Sequence, residues 1–263
     1  HSSHRRQRQM CIRDSFYTSG RASNEAAYLW QLLARQYGTN NLPDCSNMCH
    51  ESSGVALNES IGIGKGTVRL EDFDKADLIV VVGQNPGTNH PRMLSALKSA
   101  KKSGASILSI NPLKETGMRR FRHPQSPIDM LGAGTQISDD HVDIKVNGDM
   151  ALFRAIGSII LDKGVHDMDF INLNTTGFLD YANIAKAVDW DLTEDLTGQS
   201  RDRIYEISDY FCRSKRTIVC WAMGITQHKN SVNTIREIMN VLLLKGDIGR
   251  LSLIHISEPT RRE

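Results

Sequence analysis

Apolar positions along the 263-residue chain alternate between two periods, and the changes of period predict its elements. Leu78 to Val82 is an unbroken apolar run, mostly β-branched and closed by Gly83. That is the pattern of a strand buried on both faces of a parallel sheet. Ala105–Ile110 and Thr217–Trp221 repeat it, while Val142–Val146 alternates as a further strand. Helical spacing covers 24–37 (Ala26, Leu29, Leu32, Leu33, Tyr37), closed by Gly38, and 90–103 (Met93, Leu94, Leu97), with Thr88 or Asn89 as its cap. It returns over 149–162 (Leu152, Ile156, Ile159, Ile160) and over the Ile-, Val- and Leu-rich 231–244.

Between these elements the pattern is less regular. Phe16 to Gly20 reads as a short strand-like approach, and 40–54 as polar and irregular. Gly62, Gly64 and Gly66 follow in a stretch that either approaches another backbone closely or forms a flexible turn. Glu71–Lys75 is an acidic lead-in, and 113–135 a loop-rich excursion. Residues 168–214 read as mostly helical, with starts at Thr193 and Ser200 and a final apolar face of Ile204, Ile207 and Phe211.

Strand, glycine turn and helix recur in that order, which predicts an α/β fold: a doubly wound, mainly parallel, Rossmann-like sheet with helices on both faces. Right-handed crossovers would bring the corners at 83–89, 111–112 and 224–228 to one carboxyl edge, where such folds bind ligands. The dinucleotide spacing G-x-G-x-x-G is absent. The turn at Gly83 is therefore either a ligand cradle or a plain βα corner.

Composition narrows the class. The chain is 40% hydrophobic and 24% charged, with no apolar run near the roughly 20 residues of a membrane helix. With no secretory signal and an odd count of 5 cysteines, the expectation is a soluble, cytoplasmic protein without a disulfide framework. The net charge is +2, but residues 1–15 alone carry +3, so 16–250 carry −1 and present no basic field for nucleic acid. Both ends, 1–15 and 251–263, resemble translated sequencing-adapter read-through and are read as non-native tails.

Cys49-His50 is the sharpest chemical pair. A thiolate beside an imidazole suits a metal ligand or a nucleophile, though an adjacent Cys and His can also be a satisfied loop pair. Cys45, Cys49 and His50 have no second pair at zinc spacing, and the same lack leaves an iron–sulfur cluster unsupported. Cys212 and Cys220 stand in apolar contexts and read as core, and Met48 and Trp221 read as packing. His90 and His228, each at a helix start, read as capping or packing residues. Arg119, Arg120, Arg122 and His123 could hold a phosphate or form a solvated basic loop.

Taken together, SGRASNEAAYLWQLLARQYGTNNL, DCSNMCHESSGVALNESIGIGKGT, DLIVVVGQNPGTNHPRM, ILSINPLKE, WAMGITQH and VLLLKGDIGR resemble the molybdopterin-dependent oxidoreductases of the formate dehydrogenase H-like type, in order and spacing, over nearly all of 16–250. The resemblance implies the tail of one α/β domain over 16–44. It implies a Rossmann-like domain over 45–250 that helps to cradle bis(molybdopterin guanine dinucleotide), bis-MGD, with molybdenum. Cys49 falls at the metal ligand and His50 at the proton-accepting histidine. Gly83, Asn85, Thr88 and His90 fall along one dinucleotide, Asn111 at the guanosine end, and Gly224, Thr226 and Gln227 at another part of the pocket.

The resemblance also implies a small, formate-like substrate. Cluster ligands would precede residue 16, and the family's active-site arginine and cofactor-capping domain would follow Arg250. NMCHE and GITQH look closer to a cluster-free branch, and Asn111 stands where several relatives have Asp. The piece is thus expected to be an inactive fragment of a larger enzyme. Two other readings remain at this level, a non-catalytic scaffold subunit of the same fold and a plain NAD- or FAD-binding Rossmann domain.

Overall fold

The computed structural model describes residues 16, 22–42, 49–125 and 132–249. Both tails, Cys45, Met48 and, apart from Phe16, the strand-like approach at 16–20 lie outside the described residues. The chain divides into two compact units, residues 1–51 and 52–263.

In the first unit Ser23 caps helix α1 (Asn24–Tyr37) by accepting from the Ala26 amide at 3.2 Å, and Gly38 ends it in the left-handed conformation at φ 94°. Phe16 packs edge-on against Trp30 and Tyr37. Leu29, Leu32 and Leu33 are exposed.

The second unit is built on a parallel sheet of β1 (Leu78–Val82), β2 (Ser106–Ile110), β3 (Asp140–Val142) and β4 (Thr217–Trp221), in spatial order β3-β2-β1-β4. Leu78 pairs with Ser106 on one side and with Thr217 on the other, so β1 is central. Its residues alternate between two cores, which explains the unbroken apolar run. Leu78, Val80 and Val82 join Leu108, Ile110, Val219 and Trp221 on one face, while Ile79 and Val81 join Ile107, Ile218 and Cys220 on the other.

Helix α2 (Glu51–Ile61) opens this unit, and α3 (Pro86–Asn89) and α4 (Pro91–Lys102) follow β1. After β2 come α5 (Thr116–Arg119) and the excursion to β3. Then follow α6 (Asp149–Asp162), α7 (Met168–Asn174), α8 (Phe178–Lys186), α9 (Trp190–Thr197) and α10 (Arg201–Arg213). Finally α11 (Met223–Thr226) and α12 (Ser231–Leu244) follow β4. Leu94 and Leu97 of α4 lie in the second core, whereas α6, α10 and α12 fill the first.

Several expected elements differ in detail. Residues 143–146 do not continue β3, because the backbone there turns to other partners: the Lys145 amide donates to Thr197 O and Gln199 Nε2 to Asp143 O, both at 3.0 Å. Thr193 lies inside α9, whose cap is Asp189, and its hydroxyl donates back to Asp189 O. Ser200 does cap α10, accepting from Arg203. Thr88 and Asn89 lie within α3, which Asn85 caps, and His90 stands at the N-cap position of α4. Helix α2 occupies sequence read as irregular, since Gly54 and its serines break the apolar period that Ala56 and Leu57 carry.

Candidate functional site

The strand order makes the gap between β1 and β4 the topological switch point: β1 leads to α4 over one face, β4 to α12 over the other. Ligands of open α/β sheets bind outside the carboxyl ends of the strands at such a point. Here the two exits touch through backbone alone. The Gly224 amide donates to Gly83 O at 3.0 Å, and the Gly83 amide donates to Ile110 O at 2.9 Å. A Cβ on Gly224 would stand 2.5 Å from Gly83 O, and one on Gly83, whose φ is +56°, would stand 2.8 Å from Gly224 C. Only two glycines permit this contact.

Beyond Gly83 the chain is held by polar groups. Asn85 Oδ1 accepts from the Thr88 amide at 3.2 Å, closing the turn. Gln84 is 4% exposed, and its Nε2 donates toward His90 Nδ1 at 3.3 Å and Met93 Sδ at 3.4 Å. Its Oε1 is buried without a partner. A second glycine pair braces the turn from behind, because a Cβ on Gly117 of α5 would come within 2.7 Å of Gly87 Cα.

Across the switch point, Thr226 is 8% exposed and its Oγ1 also has no partner. Its carbonyl accepts from Ser52 Oγ at 3.0 Å, and Trp221 Nε1 donates to Ser53 Oγ at 3.0 Å. Helix α2 is thereby tied to the exit of β4. Gln227 is exposed, its Nε2 turned toward Met223 Sδ. His228 Nδ1 lies 3.0 Å from Oδ1 of Asn147, which itself adopts a positive φ of 69° just before α6. Asp149, the first residue of α6, is buried at 5% exposure, and burial pushes its carboxyl up to about 6.

Gly83, Asn85, Thr88, His90, Gly224, Thr226 and Gln227 thus all belong to the β1 and β4 exits. Asn111 ends β2 one strand away, its amide donating to Val142 O at 3.0 Å. Cys49 and His50, both half-buried, belong to the first compact unit. Among the described residues no three His, Cys, Asp or Glu side chains cluster as a metal site, and the Cys49 thiol is free. Among the described residues no helix is long and apolar enough to cross a membrane.

Sequence reasoning missed Gln84, Ser52, Ser53 and the Asn147–His228 contact. The Asn147-Gly148 dipeptide ahead of a helix was a signal for the last. The serines carried none, because their partners lie 174 and 168 positions away.

The family model for molybdopterin oxidoreductases matches residues 5–255. An uncharacterized oxidoreductase of Mycobacterium tuberculosis is 52% identical over 241 residues, covering 89% of this chain and 31% of that protein. Protein YdeP of Escherichia coli is 45% identical over 246 residues (89% of this chain, 32% of that one), and formate dehydrogenase H of Escherichia coli 30% over 241 residues (90% and 31%). The chain therefore spans about a third of the length of these relatives. Among solved structures, acetylene hydratase from Pelobacter acetylenicus superposes with a TM-score of 0.67 over 94% of this chain and 32% of that one, at 16% identity, a likeness of fold.

Proposed function

From the premise that this chain belongs to the molybdopterin oxidoreductase family, we propose that its switch-point crevice holds part of a bis-MGD cofactor and that the parent enzyme carries out a two-electron, formate dehydrogenase-like oxidoreduction on a small substrate. The observation that carries this is the pair of orphaned polar atoms beside the glycine contact. Gln84 Oε1 and Thr226 Oγ1 are buried without partners on the two strand exits that Gly83 and Gly224 join. An unsatisfied buried polar atom costs about 1–3 kcal/mol, and a dinucleotide rich in donors and acceptors would supply what the protein does not.

In this reading Gly83, Asn85, Thr88 and His90 line one dinucleotide, Gly83 by letting the two strand exits meet. Asn111 reaches the guanosine end, and Gly224, Thr226 and Gln227 complete the opposite wall. The Cys49 thiolate is the protein's ligand to molybdenum, and His50 accepts or returns the proton that accompanies the electron pair. The bound cofactor supplies the two-electron redox chemistry, while these residues bind, orient and move the proton. In domain terms, 16–44 closes a neighbouring domain and 45–250 is the cofactor-binding one.

The test is metal and nucleotide analysis of the full-length parent, made in a host that synthesises molybdopterin guanine dinucleotide. Molybdenum or tungsten together with GMP released on acid hydrolysis is expected. Cys49→Ser should keep the GMP and lose turnover. A parent carrying neither metal would sink the proposal, and a fully active serine variant would remove Cys49 from it.

A further inference from the structure

Outside the switch point, described residues between β2 and β3 border an open cavity of about 610 Å³. None of the switch-point residues lines it. Its walls carry Lys114, Arg119, Arg120, Asp139, Asp140 and His141, together with the hydroxyl of Thr116.

Both carboxylates in this wall are already engaged. Asp139 accepts from Lys101 and from the Ile107 amide, and Asp140 accepts from Arg203 at 2.7 Å and from the His141 amide at 2.7 Å. Among the described residues Lys114, Arg119 and Arg120 make no ion pair, so the unbalanced charge that these residues bring to the cavity is positive. Beside them, His141 Nδ1 lies 3.4 Å from Ser109 Oγ, and its Nε2 is buried without a partner.

The basic wall is braced. Met118, directly before the arginines, is 1% exposed, and its carbonyl accepts from both the Ser138 amide at 2.8 Å and the Ser138 hydroxyl at 3.0 Å. Phe121 and Thr135 exchange two backbone hydrogen bonds of 2.8 Å. Beside them Gly134, at φ +76°, lies so near the Arg120 stem that a Cβ would come within 3.3 Å of Arg120 Cγ. A freely solvated loop would need neither the bridge nor the glycine.

We propose that this cavity is a second ligand site, which takes the phosphate or diphosphate group of a small phosphorylated molecule independently of the switch-point crevice. Guanidinium forks, an ammonium and a hydroxyl offer several donors, which match the terminal oxygens of a phosphate better than the two oxygens of a carboxylate. Every lining residue is polar or charged, which favours a charged ligand over an apolar one.

Isothermal titration of the 263-residue chain with inorganic pyrophosphate at low salt tests this. The chain should bind, and Arg119→Gln/Arg120→Gln should weaken binding by about tenfold or more, as expected for lost charge-assisted hydrogen bonds. Lys114→Ala should weaken it as well. Thr226→Val in the crevice and Arg213→Gln, an exposed charge elsewhere, should leave it unchanged, and the thermal midpoint of the double variant should match the parent chain. No binding at millimolar pyrophosphate, binding unaffected in the double variant, or an equal loss in Arg213→Gln would overturn the site. A loss confined to Thr226→Val would assign the pyrophosphate to the crevice instead.

Discussion

Gly224 donates its amide to the carbonyl of Gly83 at 3.0 Å, which joins the exits of two neighbouring parallel strands without any side chain between them. Gly224→Ala would place a methyl group 2.5 Å from that carbonyl oxygen and 2.6 Å from Gly83 Cα, and these backbone atoms cannot rotate away as a side chain would. The variant should lose about 2–3 kcal/mol, in the range of overpacked sites, which a denaturant titration would register. Stability equal to the parent chain would mean that the exits separate freely.

Thr226→Val tests the orphaned hydroxyl. Oγ1 has no partner and the residue is buried, so an isosteric methyl should leave stability unchanged or raise it by up to about 1 kcal/mol. Bound dinucleotide in the full-length parent should fall at the same time. A valine variant that is clearly destabilised would show that the hydroxyl already serves the fold.

Asp149 predicts a pH dependence of definite sign. Its folded carboxyl titrates near 6, above the ordinary 3.8, so the folded chain binds that proton more tightly than the unfolded chain does. This contribution is complete below about pH 4 and is lost as pH rises through 6, a loss of up to about 3 kcal/mol. Asp149→Asn should remove the dependence and be the more stable protein at pH 7. Parallel stability curves for the two proteins between pH 4 and 7 would refute the assignment.

The Arg154–Glu237 pair links α6 to α12, with Glu237 Oε1 accepting at 2.9 Å from Nε and 2.6 Å from Nη2. Its halves are unequally buried, at 38% side-chain exposure for the arginine and 8% for the glutamate. Arg154→Ala would strand a buried carboxylate and should cost about 3 kcal/mol or more, whereas Glu237→Ala leaves a guanidinium that water can reach and should cost less. Thermal melts of the two variants give the order, and a reversed order would contradict this account.

Residues with one environment could be read from the chain directly. Leu78–Val82 and Thr217–Trp221 face a core on either side, so nothing polar interrupts them, and the structure keeps those bounds. Asp149–Asp162 and Ser231–Leu244 likewise start and stop where their apolar period does. The glycine turns after the strands stood out because turn chemistry is local, and the residues proposed above to line the cofactor crevice came from the family resemblance of those stretches. Helix α2 did not, because Ser52 and Ser53 are answered by Thr226 and Trp221, far along the chain. The end of β3 was equally hidden, since whether an alternating stretch stays in a sheet depends on which backbone groups lie beside it, and those of 143–145 find residues 197–199. Tertiary structure alone decided that β4 lies against β1 and not beyond β3, for strand order is settled by long-range pairing and helix packing that no local pattern encodes. That order brings Gly83 to Gly224, leaves Gln84 and Thr226 with unanswered polar atoms between the two exits, and keeps Lys114, Arg119 and Arg120 apart on the flank of β3.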